Sequence, residues 1–371
     1  MSELAVFVML PRHLDVAAWR ERFSNGGVPD KTPYGYHFAE DAGAMVTFSQ
    51  PTVTPTGLLG LADKLVKRLC GFDIRHAWCN RNALFGNKFD VVWTHTEYEH
   101  LAIAALQPFF KMKSPPVIAQ SIWLIDEWDN FWGWKRWLYR VLLRHAAIAT
   151  FHSPENQSAS DMCGIPAPTA LVLFGISLDS FPLTSPTAKF ERGRDIRVLA
   201  LGSDRHRDWH TLFDAIGAKP GYELRVGSSY WPVSLKASNV EVGLMSQAQV
   251  RAAYDWADCV VVPLKRNLHA SGITAILEAV ALGVPVVATR TGGLEAYFDD
   301  DAVKYVEIGD PLALRTAVSA LAHNIQAADD QAHTAQRQLV ERDLTTRGFA
   351  LRHVALSQKL LSRADRRAVV S

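Results

Sequence analysis

Short, mostly apolar runs alternate along this chain with longer stretches in which apolar residues recur every three or four positions. In the first half, runs at 5–10, 44–48, 91–93, 117–119, 147–151 and 170–173 are separated by helix-length amphipathic stretches. In the second half, runs at 196–201, 222–226, 240–244, 259–262 and 284–288 repeat the arrangement. Runs this short and this apolar suit strands of a parallel sheet buried on both faces. Strand and helix in alternation predict an α/β protein with two Rossmann-like, doubly wound parallel sheets carrying helices on both faces. Between the two halves, residues 182–194 are rich in Pro, Ser, Thr and charge and read as a linker. From about Asp310 the chain reads as helical and ends in a polar, Arg-rich tail.

The most informative stretch is 260–298, VVVPLKRNLHASGITAILEAVALGVPVVATRTGGLEAYF. Its first apolar run ends at Pro263, where the chain leaves the sheet. After a polar loop, Ile273, Ile276, Leu277 and Val280 recur at helical spacing, with Ser271 as the expected N-cap. Gly283 ends this helix and Pro285 prevents its continuation. Open amides of Gly272, Ile273 and Thr274 would then sit at the positive end of a helix above the C-terminal edge of a parallel sheet, where phosphates bind. Glu278 lies roughly 9 Å further along the axis at about 1.5 Å per residue, with its side chain leaning back toward the helix start. That offset suits a carboxylate binding a ribose while a diphosphate rests on the amides. The alternative is a charged residue on a solvated helix face.

The residues Glu278, Ala279 and Leu282 to Thr289, followed by Gly292 and Gly293, resemble the C-terminal signature of the family 4 type of GT-B glycosyltransferases. The resemblance implies two Rossmann-like domains with the ligand cleft between them: 1–181 binding the acceptor, 195–345 binding a nucleotide-sugar donor, and 346–371 crossing back to the first domain. It also implies retention of anomeric configuration and no metal. The chain departs from the family where a first acid is expected, eight residues before Glu278, and has Ala270. His269, Ser271 or Asn267 could take its place, and Ser271 is preferred. Upstream, LFGISLDSF at 173–181 resembles the segment that closes the family's first domain, with Phe174 and Ser177 replacing its Asn and Asp. After the run ending at Gly202, Ser203 and Asp208 stand where the family has an Arg and a Lys for the diphosphate. Arg205 and Arg207 lie between them, and either can supply the missing charge, since a guanidinium fork matches phosphate oxygens. Alternatively, both are loop charges paired with Asp204 and Asp208.

Composition narrows the choices. With 371 residues, 48% of them hydrophobic, the chain can fill two cores. A net charge of +1 gives no electrostatic case for nucleic acid. The first apolar run follows an acid and stops at Pro11 and Arg12, so it reads as a strand rather than a signal peptide or a membrane span. Cys70, Cys79, Cys163 and Cys259 have no C-x-x-C spacing and Asp299 to Asp301 reads as a charged turn, so no metal is expected. Reduced thiols in the cytoplasm follow.

Signals in the first half are softer. Asn25, Gly26 and Gly27 form either a flexible glycine loop or a surface turn. His95 follows the strand DVVWT, with Glu97 and Glu99 beside it, and can bind a sugar hydroxyl or exchange a proton, or serve only structure. Gln120 and Ser121 stand where relatives often have a His-Asp pair, which leaves Asp126, ahead of Glu127 and Asp129, as the candidate carboxylate for an acceptor. FWGWKRWLYRVLLR, which begins at Phe131 and ends at Arg144, puts Trp134, Trp137, Leu138, Val141 and Leu142 on one helical face among Lys135, Arg136, Arg140 and Arg144. Such a helix either fills a core or lies against the headgroups of an anionic membrane.

The resulting expectation is a metal-independent hexosyltransferase. It would take a UDP-sugar or GDP-sugar, use no other cofactor, and transfer to a hydroxyl of a saccharide or lipid-linked acceptor in polysaccharide or glycolipid assembly, at the inner face of a membrane. A GT-B nucleotide-sugar epimerase and a non-catalytic GT-B partner subunit are the alternatives.

Overall fold

The structure, a computed structural model, describes residues 3–186, 189–191 and 193–370. Residues 187, 188 and 192 of the expected linker, and the terminal positions 1, 2 and 371, lie outside the described residues. The chain divides into two units, one comprising 1–24, 31–173 and 347–371, the other 25–30 and 174–346.

The first unit contains β1 (Leu4–Met9), β2 (Ala44–Phe48), β3 (Val91–Thr94), β4 (Val117–Gln120), β5 (Ala146–Phe151) and β6 (Thr169–Leu171). They form one sheet in the order β2-β1-β3-β4-β5-β6, with every pairing parallel. The run VVWT of β3 is wholly buried, as expected of a strand covered on both faces. The long C-terminal helix, Thr346–Val370, returns to this unit: Trp93 Nε1 donates to Ser357 Oγ at 2.9 Å, and Tyr36 packs on Phe349.

The second unit contains β7 (Ile196–Leu201), β8 (Tyr222–Gly227), β9 (Val240–Gly243), β10 (Cys259–Val262), β11 (Val286–Thr289) and β12 (Lys304–Val306). Their order is β12-β11-β10-β7-β8-β9, again parallel throughout. Val198, Ala200, Val226, Cys259, Val261 and Val287 pack with Leu212, Ile216 and Val318 of flanking helices into one core. The segment 174–181 belongs here rather than closing the first unit. Phe174 N donates to Tyr297 Oη at 3.0 Å, Ile176 N to Leu344 O at 3.0 Å, and Arg251 Nη1 to Ser180 O at 2.7 Å. The Asn25 to Asp30 loop joins the same unit, since Ser177 Oγ and Ser180 Oγ both donate to Pro29 O at 2.9 Å.

In each sheet the order of strands reverses once, between β1 and β3 in the first unit and between β7 and β10 in the second. Loops leaving the two strands that flank such a reversal diverge to opposite sides and leave a crevice at their C-terminal ends. Residues from those loops assemble both sites described next.

Candidate functional site

In the second unit, the loops after β7 and β10 are tied together by main-chain bonds. Asp208 N donates to Pro263 O at 3.0 Å, Lys265 N to His206 O at 2.8 Å, and Arg207 forms an antiparallel bridge with Leu264. This pairing turns Arg207 inward and leaves Arg205 exposed on the loop. Arg207 is 6% exposed; its Nε donates to Leu201 O at 3.1 Å and its Nη1 to Ser271 Oγ at 3.0 Å. It lies in a slot between two glycines. A Cβ on Gly202 (φ 138°) would collide with the guanidinium, and one on Gly272 (φ 90°) would meet Val262 Cγ1 at 2.5 Å and Arg207 Nη1 at 3.0 Å. Burial draws the Arg207 pKa down to about 10, partly offset by Asp204 and Tyr254, so the group stays cationic at neutral pH. Asp208 instead caps the Trp209–Ile216 helix, accepting from Thr211 N at 3.2 Å and Thr211 Oγ1 at 2.7 Å.

The start of the Ile273–Ala281 helix corrects two expectations. Gly272, in the left-handed region, is the N-cap, and Ser271 is not. Ser271 instead links charged groups, accepting from Arg207 and donating from Oγ to Asp204 Oδ2 at 3.0 Å, while its own amide donates to Asn267 Oδ1 at 3.0 Å. The Ile273 amide, expected to be open, donates to Ala270 O at 3.2 Å and closes a tight turn. The amides of Gly272 and Thr274 have no hydrogen-bond partner among the described residues. Ala270 is 2% exposed and held at φ 56°, so an acid there would be both strained and buried without a partner.

Glu278 stands on the next turns of the same helix, partly buried. Its Oε2 accepts from Tyr254 Oη at 2.7 Å, and the same hydroxyl contacts Ala275 O at 3.3 Å. Burial pushes the carboxyl up to about 7, moderated by the Tyr254 hydrogen bond. The reading of Glu278 as a merely solvated charge does not hold: the side chain is fixed by a fully buried tyrosine.

Asp204, unassigned by sequence, is the hub of the polar cluster. Its Oδ1 accepts from His206 N at 2.8 Å and lies 3.1 Å from His206 Nδ1; its Oδ2 lies 3.1 Å from His269 Nε2. Burial alone would raise its pKa, but hydrogen bonds from His206 and His269 outweigh that and hold the carboxyl far below its ordinary range.

In the first unit, the loops after β1 and β3 line a cavity of about 500 Å³, walled by Arg12, Tyr34, Lys67, His95, Glu99 and Trp123 among others. His95 is 4% exposed, its ring stacked on Tyr34 with centroids 3.3 Å apart and its Nδ1 3.2 Å from Tyr36 Oη. Burial holds His95 well below its ordinary pKa, with His152 and His353 adding to the effect, so the imidazole is neutral. Tyr34 adopts φ 60°, unfavourable for a side chain of this size, to present its ring there. Glu99 Oε2 accepts from Thr96 N at 2.9 Å and Thr96 Oγ1 at 2.6 Å; burial nevertheless raises its pKa to about 7. Glu97 is structural, accepting from Ile122 N at 2.9 Å and Trp123 N at 3.2 Å. Asp126 is not among the residues lining the cavity, whereas His95 is.

The sequence model of the family Glycosyl transferases group 1 matches residues 203–324, which span the Asp204–Arg207 loop, the Ser271–Gly272 turn and Glu278. This segment is similar to a group 1 glycosyltransferase domain. No curated protein matches the chain by sequence. Among solved structures, sucrose-phosphate synthase from Thermosynechococcus elongatus is similar with a TM-score of 0.71 at 17% identity, covering 97% of this chain and 100% of that one. HepE of Anabaena, in complex with UDP and glucose, gives 0.66 at 15% identity, covering 95% and 99%. The UDP-forming α,α-trehalose-phosphate synthase of Burkholderia vietnamiensis gives 0.62 at 12%, covering 96% and 99%. At these identities the likeness establishes the fold, which is GT-B, with its two parallel-sheet domains.

In the second unit the structure gathers Gly202, Ser271 and Gly272 around the Arg207 guanidinium. Glu278 follows along the helix, while Arg205 and the exposed Thr274 remain at the periphery. Sequence reasoning missed Asp204, His206 and Tyr254 here, and Tyr34 in the first unit. The only linear signal for the first two was a carboxylate and an imidazole two residues apart in a loop leaving a strand.

Proposed function

We propose that this group 1 glycosyltransferase moves a hexose-type sugar, with retention, from a nucleoside diphosphate sugar to a hydroxyl of a saccharide or lipid-linked acceptor in polysaccharide or glycolipid assembly. The observation that carries the donor half is the glycine-walled slot of Arg207 beside the open amides of Gly272 and Thr274. A preorganised, desolvated guanidinium and two main-chain donors stabilise charge that grows on a departing diphosphate. Glu278, steadied by Tyr254, accepts from ribose hydroxyls. As the bond from the sugar's anomeric carbon to phosphate oxygen breaks, the acceptor oxygen bonds to that carbon on the same face and its proton passes to the leaving phosphate. UDP, the nucleotide bound by HepE, is the first to test.

The cavity lined by His95, Tyr34 and Glu99 is the proposed acceptor pocket, with neutral His95 hydrogen-bonding an acceptor hydroxyl. Asp126 stays a candidate for outer acceptor contacts. The aromatic faces support a lipid-linked acceptor at the inner surface of a membrane. On the Gly133–Leu143 helix the core side is Tyr139, Leu142 and Leu143, and Trp134 and Trp137 are 49% and 64% exposed. The Gly57–Cys70 helix adds exposed Leu58, Leu59, Leu61 and Leu65 beside Lys64, Lys67 and Arg68, and Tyr139 Oη donates to Cys70 O at 2.7 Å, joining the two helices. Apolar side chains bordered by cations suit an anionic interface. No helix among the described residues is long and apolar enough to cross a membrane.

The test is release of UDP or GDP from a panel of sugar nucleotides, with and without membrane extract. Nucleotide binding without release under any condition refutes the transferase in favour of a non-catalytic subunit, and interconversion of sugar nucleotides without an acceptor refutes it in favour of an epimerase.

A further inference from the structure

We infer that Asp204, His206 and His269 form a binding site for a divalent transition cation. One ligand atom from each of the three lies within 4.8 Å of the others. The carboxylate stands between the imidazoles, 3.1 Å from His206 Nδ1 through Oδ1 and 3.1 Å from His269 Nε2 through Oδ2. Tetrahedral zinc with bonds of roughly 2.0–2.1 Å separates its ligand atoms by about 3.3 Å, so only small side-chain rotations convert the hydrogen-bonded cluster into a metal-bound one. Two imidazoles and one carboxylate select Zn²⁺, Ni²⁺ or Co²⁺ over Mg²⁺ or Ca²⁺, which prefer all-oxygen shells. Three protein ligands leave a coordination position open, the pattern of a site that also takes an exogenous oxygen.

The surroundings fix the ligands without sealing the site. His206 is anchored by its own carbonyl, which accepts from Lys265 N at 2.8 Å, and its side chain is 16% exposed. His269 is nearly buried at 4%, and the Asp204 side chain is 25% exposed, so solvent and ions reach the carboxylate. The two rings meet edge to face with centroids 4.9 Å apart, both turned to the same acid. Ser271 Oγ, 3.0 Å from both Asp204 Oδ2 and Arg207 Nη1, connects this cluster to the guanidinium slot. A cation there adds to the positive potential of the buried guanidinium, and a diphosphate bound beside the two is attracted by both. The cation and the nucleotide therefore tighten each other's binding by the same factor, as linkage requires. This coupling rests on the donor reading above; the cation site itself stands on its own geometry. It departs from the metal-free expectation because its ligands are spread from Asp204 to His269, a separation no linear motif records.

The test uses the full chain, stripped with chelator and carrying Cys79→Ser to remove the exposed thiol. Zn²⁺ and Co²⁺ are titrated by calorimetry and by the visible spectrum of tetrahedral Co²⁺, with Mg²⁺ as control, each with and without UDP. One equivalent per chain is expected, at least tenfold weaker in His206→Ala and in His269→Ala and unchanged in His210→Ala, with folding checked by circular dichroism. UDP should tighten Zn²⁺ at least fivefold. No saturable 1:1 binding, or binding that survives the His206→Ala/His269→Ala double variant, overturns the site. If UDP does not bind at all, the donor reading fails while the titrations without UDP still decide this inference.

Discussion

Glu278 makes the donor reading quantitative through pH. In the free protein its carboxyl titrates at about 7, because burial penalises the charge more than the Tyr254 hydrogen bond relieves it. Two ribose hydroxyls donating to the carboxylate favour the ionised form, so nucleotide binding draws the pKa back toward its ordinary range and releases a proton. Below pH 7 binding must first ionise the group, and the apparent dissociation constant carries a factor of 1 + 10^(7−pH). That factor is about 11 at pH 6 and about 1.1 at pH 8, so affinity should rise roughly tenfold across the interval, or about 1.4 kcal/mol. The folded protein alone shows the opposite trend. A carboxyl raised above its unfolded value is most favourable to stability below the unfolded pKa, and that contribution is lost as pH rises through 7. The assay is calorimetric titration of UDP into wild type and Glu278→Gln from pH 5.5 to 8.5. Titration of the UDP phosphate is common to both proteins, so the ratio of their constants isolates the side chain. A ratio that stays flat over this range refutes the assignment of Glu278 to the ribose.

Other consequences follow from the same geometry. Arg207→Ala should weaken UDP binding by at least about a hundredfold, since two charge-assisted hydrogen bonds contribute about 1.5–3 kcal/mol each and about 1.4 kcal/mol is tenfold, and Arg207→Lys should recover little of it; equal affinity in Arg205→Ala and Arg207→Ala would contradict the inward placement. Replacing Ala270 (φ 56°) by Gly should raise stability by up to about 1 kcal/mol in chemical denaturation by relieving the left-handed backbone, whereas Ala270→Asp should lower it. Trp134→Ala/Trp137→Ala should abolish binding to anionic liposomes in sedimentation while leaving the melting temperature within a few degrees, because both rings are exposed; liposome binding equal to wild type would remove the helix from the interface. His95→Ala should lower turnover with acceptor at least tenfold and leave UDP affinity unchanged, as read by steady-state kinetics and calorimetry.

The sheets were readable in the sequence because central parallel strands need apolar runs: the eleven runs (six and five) became strands β1 to β11, with ends moved by at most two residues, although the outer pair YELRV and VEVGL are interrupted by charge and their strands are partly exposed. β12 escaped because its three residues, Lys304 to Val306, follow the acidic Asp299 to Asp301 turn and offer no run to detect. The proposed donor site was readable in its scaffold where that follows helix geometry, as in the placement of Glu278 on the Ile273–Ala281 helix. It was hidden where tertiary pairing decides: Arg205 and Arg207 are equivalent in a string of letters, and only the bridge to Leu264 turns one of them inward. Ser271 was misassigned for a related reason. A serine before an apolar run is the usual cap, but Asp204 and Arg207 compete for its hydroxyl and the adjacent glycine takes the turn. Tyr34 left no trace, since nothing local announces that a tyrosine will accept a left-handed backbone to stack on a histidine 61 residues away.

The slot around Arg207 also constrains how this sequence can change over time. Gly202 has no room for a methyl group while the guanidinium is present, Gly272 has none because Val262 Cγ1 crowds it as well, and a smaller residue at 207 would leave a void beside Gly202. Each single replacement at 202 or 207 passes through a damaged intermediate, so these two positions form an epistatic pair whose members are exchanged together or kept. Gly202→Ala and Arg207→Ala should therefore be strongly non-additive, with the second change costing far less once the first has been made. If the slot binds the nucleotide as proposed, selection on binding and selection on packing act on the same two codons, 202 and 207.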